Sequence, residues 1–108
     1  METRTARTVA PVETAVAVEM LGALAQEARL EIFRLLVKAG PGGLAAGAVA
    51  AELGMAPATL SFHLKELRTA GIVICQKRGR SRIYSPDFES MKQLVGFLTE
   101  DCCRGLAA

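Results

Sequence analysis

Apolar residues along this chain recur at helical spacing in five places and switch once to the spacing of strands. From Glu13 to Gln26, Val16, Met20 and Leu24 fall on one stripe with Leu21 beside it, which predicts a first helix. From Ala28 to Lys38, Leu30, Phe33 and Val37 form a row with Ile32 and Leu36 adjacent, while Arg29 and Arg34 lie off it. Gly40–Pro41–Gly42–Gly43 then breaks the pattern. Leu44 leads into a third helix, Ala46 to Leu53, whose small side chains suit a close crossing. A turn at Gly54–Met55–Ala56 precedes a fourth helix over 57–70, with Pro57 at its first position, where a missing N–H costs nothing. Its Leu60, Leu64 and Leu67 make one face apolar, and Gly71 closes it.

Past Gly71 the period changes. Ile72–Val73–Ile74 is β-prone, and the run Lys77–Arg78–Gly79–Arg80 is a basic tip, so residues 72–85 read as a hairpin. Asp87 follows Pro86 as an N-cap for a last helix from about Phe88 to Glu100, with Met91, Leu94, Val95 and Leu98 on one face and Phe97 nearby. The expected fold is mainly α with a small β-hairpin (α+β). Helix, turn, helix and basic hairpin is the outline of a winged helix-turn-helix. The first and last helices are the candidate dimer surfaces, a role weighed evenly for the first against a place in the core alone. Residues 1–12 mix Thr, Arg, Ala and Pro11 without a period and predict a flexible arm, leaving residues 13–108 as the folded unit and its tail.

Composition sharpens this in three ways. At 108 residues and 51% hydrophobic, the chain is one small domain with apolar surface to spare for a partner subunit. No apolar run approaches the ~18 residues of a membrane span, and Met1 to Thr8 has no hydrophobic signal core, so the expectation is a soluble, cytoplasmic protein without a membrane partner. Net charge is only +2, but residues 65–82 hold six basic residues against one acid, Glu66, and the rest of the chain is net −3. A basic pole directly after a helix-turn-helix suits DNA.

On the fourth helix, Thr59, Ser61 and Phe62 lie on the exposed side of the N-terminal half, the half that faces base edges in a major groove. Phe62 has two readings, a contact to sugar or a thymine methyl, or a fold back onto a neighbouring helix. Lys65 and Arg68 lie further along and suit phosphates. His63, the single histidine, borders the apolar row; a packed, hydrogen-bonded residue is the first reading and a phosphate contact the second. In the wing, Arg78, Arg80 and Arg82 suit backbone phosphates or the minor groove, and Gly79 permits positive φ at the tip.

Three cysteines, two of them adjacent, do not make a secreted disulfide framework. Cys102–Cys103 follows Glu100 and Asp101 at the negative end of a helix, a poor setting for a reactive thiolate. Zinc wants four ligands, and neither a His nor a spaced Cys accompanies the pair. A soft thiophilic centre fits better. Trivalent arsenic takes three sulfurs, whereas its methylated form has two exchangeable positions that the pair fills alone. Cys75, in the first wing strand, is the other sulfur and reads first as a small buried residue.

Ala28–Arg29–Leu30–Glu31–Ile32, Leu44 to Leu53, Thr59 through Leu67 (TLSFHLKEL), Ala70–Gly71–Ile72–Val73 and Arg78–Gly79–Arg80 through Tyr84 together resemble the ArsR/SmtB family of winged-helix repressors over residues 13–101. The resemblance implies a homodimer built from the first and last helices, bound to a palindromic operator until a metal or metalloid ligand releases it. A Cys-x-Cys near the start of the third helix is replaced here by Ala45–Ala46–Gly47–Ala48, and the last helix lacks the histidine of zinc sensors. What remains resembles the branch with an adjacent Cys pair after the last helix, although no further cysteine follows Cys103. The resulting expectation is an operon repressor, not an enzyme and without a catalytic cofactor, that senses arsenite or methylarsenite at Cys102 and Cys103. Two alternatives stand beside it: a regulator governed by thiol oxidation or a protein partner, and, remotely, a small thiol enzyme.

Overall fold

The computed structural model describes residues 12–106. In chain order these residues form α1 (Thr14–Leu24), α2 (Glu27–Ala39), β1 (Leu44–Ala45), α3 (Ala46–Leu53), α4 (Pro57–Thr69), β2 (Val73–Arg78), β3 (Ser81–Pro86) and α5 (Phe88–Thr99). The arm expected over residues 1–12 lies outside the described residues except for Val12. That residue is buried against the core.

The expected hairpin is present and carries a third strand. β1 pairs antiparallel with β3 through Leu44↔Tyr84 and Ala45↔Ile83, giving the order β1-β3-β2. Two residues are too few to leave a period in the sequence. What admits β1 to the sheet is Gly43: at φ +71, a Cβ there would lie 2.6 Å from the Tyr84 carbonyl oxygen and 2.7 Å from Ile83 Cγ2. A side chain at this position would push the strand off the sheet.

The core gathers Ile32 and Leu36 from α2, Val49 from α3, Leu60, Leu64 and Leu67 from α4, and Ile72 at the root of the wing. α4 thus presents its i, i+4, i+7 row inward as its spacing predicts. It ends in a Schellman arrangement, in which the Gly71 N–H donates to the Arg68 carbonyl at 2.9 Å and the Ile72 N–H to the Leu67 carbonyl at 3.2 Å. Gly71 stands at φ 85, a conformation that a Cβ would strain. Leu67 and Ile72 are both buried, so the hydrophobic positions typical of this motif lie in the core where α4 leads into β2. Asp87 caps α5 as expected, its Oδ1 accepting from the Ser90 N–H at 3.2 Å, a contribution of about 1 kcal/mol.

The outer helices depart from their expected stripes. α1 buries Ala17, Met20 and Ala23, while Val16, Val18 and Leu21 stay exposed. It is apolar nearly all round, so hydropathy does not select a face. The small alanines allow close approach and decide which side packs. α2 buries Ile32, Phe33 and Leu36, leaving Leu30 and Val37 partly open. α5 buries Leu94 but leaves Val95 at 55% and Leu98 at 57% exposure. Between α1, α2 and α5 runs an apolar groove of 340 Å³ walled by Leu24, Leu30, Phe33, Val37, Leu94 and Val95. No helix among the described residues is long and apolar enough to cross a membrane.

Candidate nucleic-acid interface

α4 is held by its buried row, and its other side is free. Thr59, Ser61, Phe62, Lys65 and Arg68 are all exposed. The helix starts at Pro57, which has no N–H, and no side chain caps the N–H groups of the residues that follow. Such an end favours anions. Phe62 remains 54% exposed although two side chains lie against its ring. The Arg29 guanidinium carbon lies 5.6 Å from its ring centroid. The His63 ring meets it edge-on, with centroids 5.7 Å apart and planes at 62°.

His63 takes the first of its two sequence readings. It is 7% exposed, and its Nδ1 accepts from Arg29 Nε at 3.2 Å. So enclosed, and with one ring nitrogen already engaged, His63 presents little surface outward. The position follows from spacing, because His63 is three residues after Leu60 and four before Leu67, well inside the buried stripe.

Behind α4 the wing extends from the core as two paired strands. Lys77 faces Arg82 and Arg78 faces Ser81 across the ladder, with Gly79 turning the tip at φ 63. Lys77, Arg78, Arg80 and Arg82 are exposed, and among the described residues none of them forms an ion pair. Arg78 makes one long side-chain bond, Nη2 to Gln76 Oε1 at 3.4 Å. A row of unneutralised cations on a narrow ribbon beside an exposed helix face fits a polyanion.

The cysteine pair lies elsewhere, in the turns after α5. The Cys102 N–H donates to the Thr99 carbonyl at 2.9 Å, and Asp101 and Cys103 both have positive φ, at 58° and 68°. This tight path brings the two exposed Sγ atoms to 2.9 Å. Arg104 Nη1 donates to Asp101 Oδ1 at 2.7 Å. The hydrogen bond to Cys103, with a little desolvation, pushes the Cys102 thiol above its ordinary value. Among the described residues no three of His, Cys, Asp and Glu come together as a metal cluster. Cys75 is half-buried in β2 opposite Tyr84. Burial first, and then the neighbouring Cys75 thiol, raise the Tyr84 phenol above its ordinary value.

Known proteins resemble this chain in sequence and in fold. A family pattern described as a helix-turn-helix domain matches residues 24–76. The nodulation protein NolR of Rhizobium meliloti is 31% identical over 85 residues, which span 79% of this chain and 67% of NolR. HlyU from Vibrio cholerae N16961 is 31% identical over 79% of this chain and 92% of its own, with a TM-score of 0.64. An ArsR-like transcriptional regulator from Rhodococcus sp. RHA1 is 26% identical over 78% of this chain and 76% of its own, with a TM-score of 0.69. The chain belongs to the ArsR-like family of winged helix-turn-helix regulators. As an ArsR-like regulator it is a DNA-binding transcription factor, a class whose members are not enzymes. In this regulator the helix-turn-helix is α3–α4 and the wing is β2–β3.

One participant escaped the sequence pattern. Arg29 was visible only as a residue off the apolar row, yet it touches both His63 and Phe62. Its signal was a cation in the first turn of a helix, where the dipole disfavours one.

Proposed function

We propose that this ArsR-like regulator is a cytoplasmic homodimeric repressor of an arsenic-resistance operon. It leaves a palindromic operator when trivalent arsenic, as arsenite or methylarsenite, binds Cys102 and Cys103. The observation that carries the ligand assignment is the pair of exposed thiols 2.9 Å apart. Soft centres select sulfur, and one arsenic atom bridges two such thiols by condensation. Arsenite, As(OH)3, exchanges two hydroxyls for two thiolate bonds and releases two waters. Methylarsenite, CH3As(OH)2, loses both hydroxyls and also releases two waters. Neither reaction needs a free thiolate on balance, so a thiol pushed upward in pKa by its neighbour is no obstacle.

On the DNA side, Thr59, Ser61 and Phe62 face base edges in the major groove while Lys65 and Arg68 meet phosphates. Arg78, Arg80 and Arg82 grip the backbone or the minor groove with the wing. Replacing Arg80 with Ala lowers affinity for every duplex alike and reduces the salt slope by about one. Anisotropy titrations at several salt concentrations check this, and an unchanged slope counts against a phosphate contact by the wing. The dimer forms through α1 and α5, whose exposed Val18, Leu21, Val95 and Leu98 otherwise stand in water. A palindrome then matches the two-fold axis of the protein.

Release is linkage. Apo and liganded dimers differ in how their two α4 helices are set, and the ligand favours the form that fits DNA less well. Couplings of this kind are typically ~1–3 kcal/mol, or roughly 5- to 150-fold in operator affinity, and operator DNA weakens arsenic binding by the same factor. The closeness of the thiols also suits a second reading, oxidation of the pair. Arsenite-driven release in the presence of a phosphine reductant excludes it.

A further inference from the structure

We infer that Arg29 is a positioning residue for DNA reading: hydrogen-bonded to His63 and lying over the Phe62 ring, it fixes the angle at which α4 presents Phe62. The inference rests on the proposed use of the Phe62 side of α4 against DNA.

Phe62 needs such a support. It is 54% exposed and stands on the N-terminal half of α4, with no cap and no bulky neighbour before it on its own helix. A ring left free to change rotamer would lose entropy on meeting a base. Arg29 removes that freedom from outside the helix, with its guanidinium carbon 5.6 Å from the ring centroid. The guanidinium is itself anchored, because Nε donates to His63 Nδ1 at 3.2 Å. His63 is itself buried, which makes it a firm post.

Two features show that the contact is specific. Arg29 occupies the first turn of α2, where its backbone N–H donates to the Gln26 Oε1 cap at 3.0 Å. A cation there opposes the helix dipole, so local preference does not account for it. Glu19 and Glu66 line the hollow beside Arg29, yet among the described residues neither pairs with it. The guanidinium is committed to an imidazole and a ring in preference to the nearby carboxylates. Lysine cannot replace it, having neither a fork to donate sideways to His63 nor a plane to lie on Phe62.

The test is a double-mutant cycle of Arg29→Lys and Phe62→Ala. Affinity is measured on the duplex that the wild-type protein selects from a randomised pool, and on a scrambled duplex of equal length, across salt concentrations. Arg29→Lys is expected to weaken the selected duplex about two- to fivefold, leave the scrambled duplex and the salt slope unchanged, and cost nothing further in the Phe62→Ala background. Arg29→Gln, which keeps a planar donor, recovers part of the loss and serves as the second variant if the lysine protein does not fold. The inference is overturned if Arg29→Lys binds like wild type while Phe62→Ala is impaired. It is equally overturned if the two losses add, or if both duplexes weaken with a smaller salt slope, which marks a phosphate contact. A Phe62→Ala protein that binds like wild type removes instead the proposed role of that helix face, and this inference with it.

Discussion

Replacing Cys102 and Cys103 together by Ser leaves operator affinity within about twofold of wild type, because both side chains are exposed and far from any packed contact. The same replacement abolishes release by arsenite and by methylarsenite, where the wild-type dimer loses roughly 5- to 150-fold in affinity. Serine preserves size and hydrogen bonding but offers a hard oxygen that does not hold a soft centre. The readout is anisotropy of a labelled operator titrated with protein, with and without ligand and with reductant throughout. Cys75→Ser is the companion experiment: this thiol is held against Tyr84 in the sheet and joins no metal-binding cluster among the described residues, so its removal leaves release unchanged. Release that survives the double serine variant refutes the site.

Leu67→Ala has the largest expected effect on the fold. Leu67 is 0% exposed, and truncating a buried leucine to alanine costs about 2–5 kcal/mol. Total stability for a domain of this kind is about 5–15 kcal/mol. Leu67 also supplies the carbonyl that accepts from Ile72 and packs against it at the root of the wing, so the cavity opens where helix and ribbon join. The urea midpoint drops sharply with its slope preserved, and DNA binding weakens for all sequences as the folded fraction falls. A midpoint shift under about 1 kcal/mol places the residue outside the core that the account assigns it to. Folding and signalling are thereby separated: one variant loses stability, the other only the response.

Much of α4 was legible in the sequence, because every device that makes it is local. Pro57 sets the start, Leu60, Leu64 and Leu67 set the face, and Gly71 at φ 85 allows the chain to turn away. Asp87 and the wing tip at Gly79 are equally local signals. The features that the sequence missed or left open depend on partners distant in sequence. β1 exists because Gly43 lets Leu44 approach Tyr84, forty residues on. The packed face of α1 is chosen by Ala17 and Ala23, whose small size matters only once α2 and α4 lie across them. His63 sits on the border of the apolar row, and Arg29, thirty-four residues earlier, commits it to the interior. Similarly, adjacency in sequence identified the cysteine pair, but only the turn at Asp101 and Cys103 brings the two sulfurs together on the surface.

The central claim is that ligand at the tail controls what α4 and the wing hold. The most direct measurement is operator affinity of the reduced wild-type protein with and without saturating arsenite or methylarsenite, on the duplex the protein itself selects. The account predicts tight, salt-dependent binding that falls roughly 5- to 150-fold with at least one of the two ligands. Affinity unchanged by both, on a duplex the protein binds specifically, contradicts it.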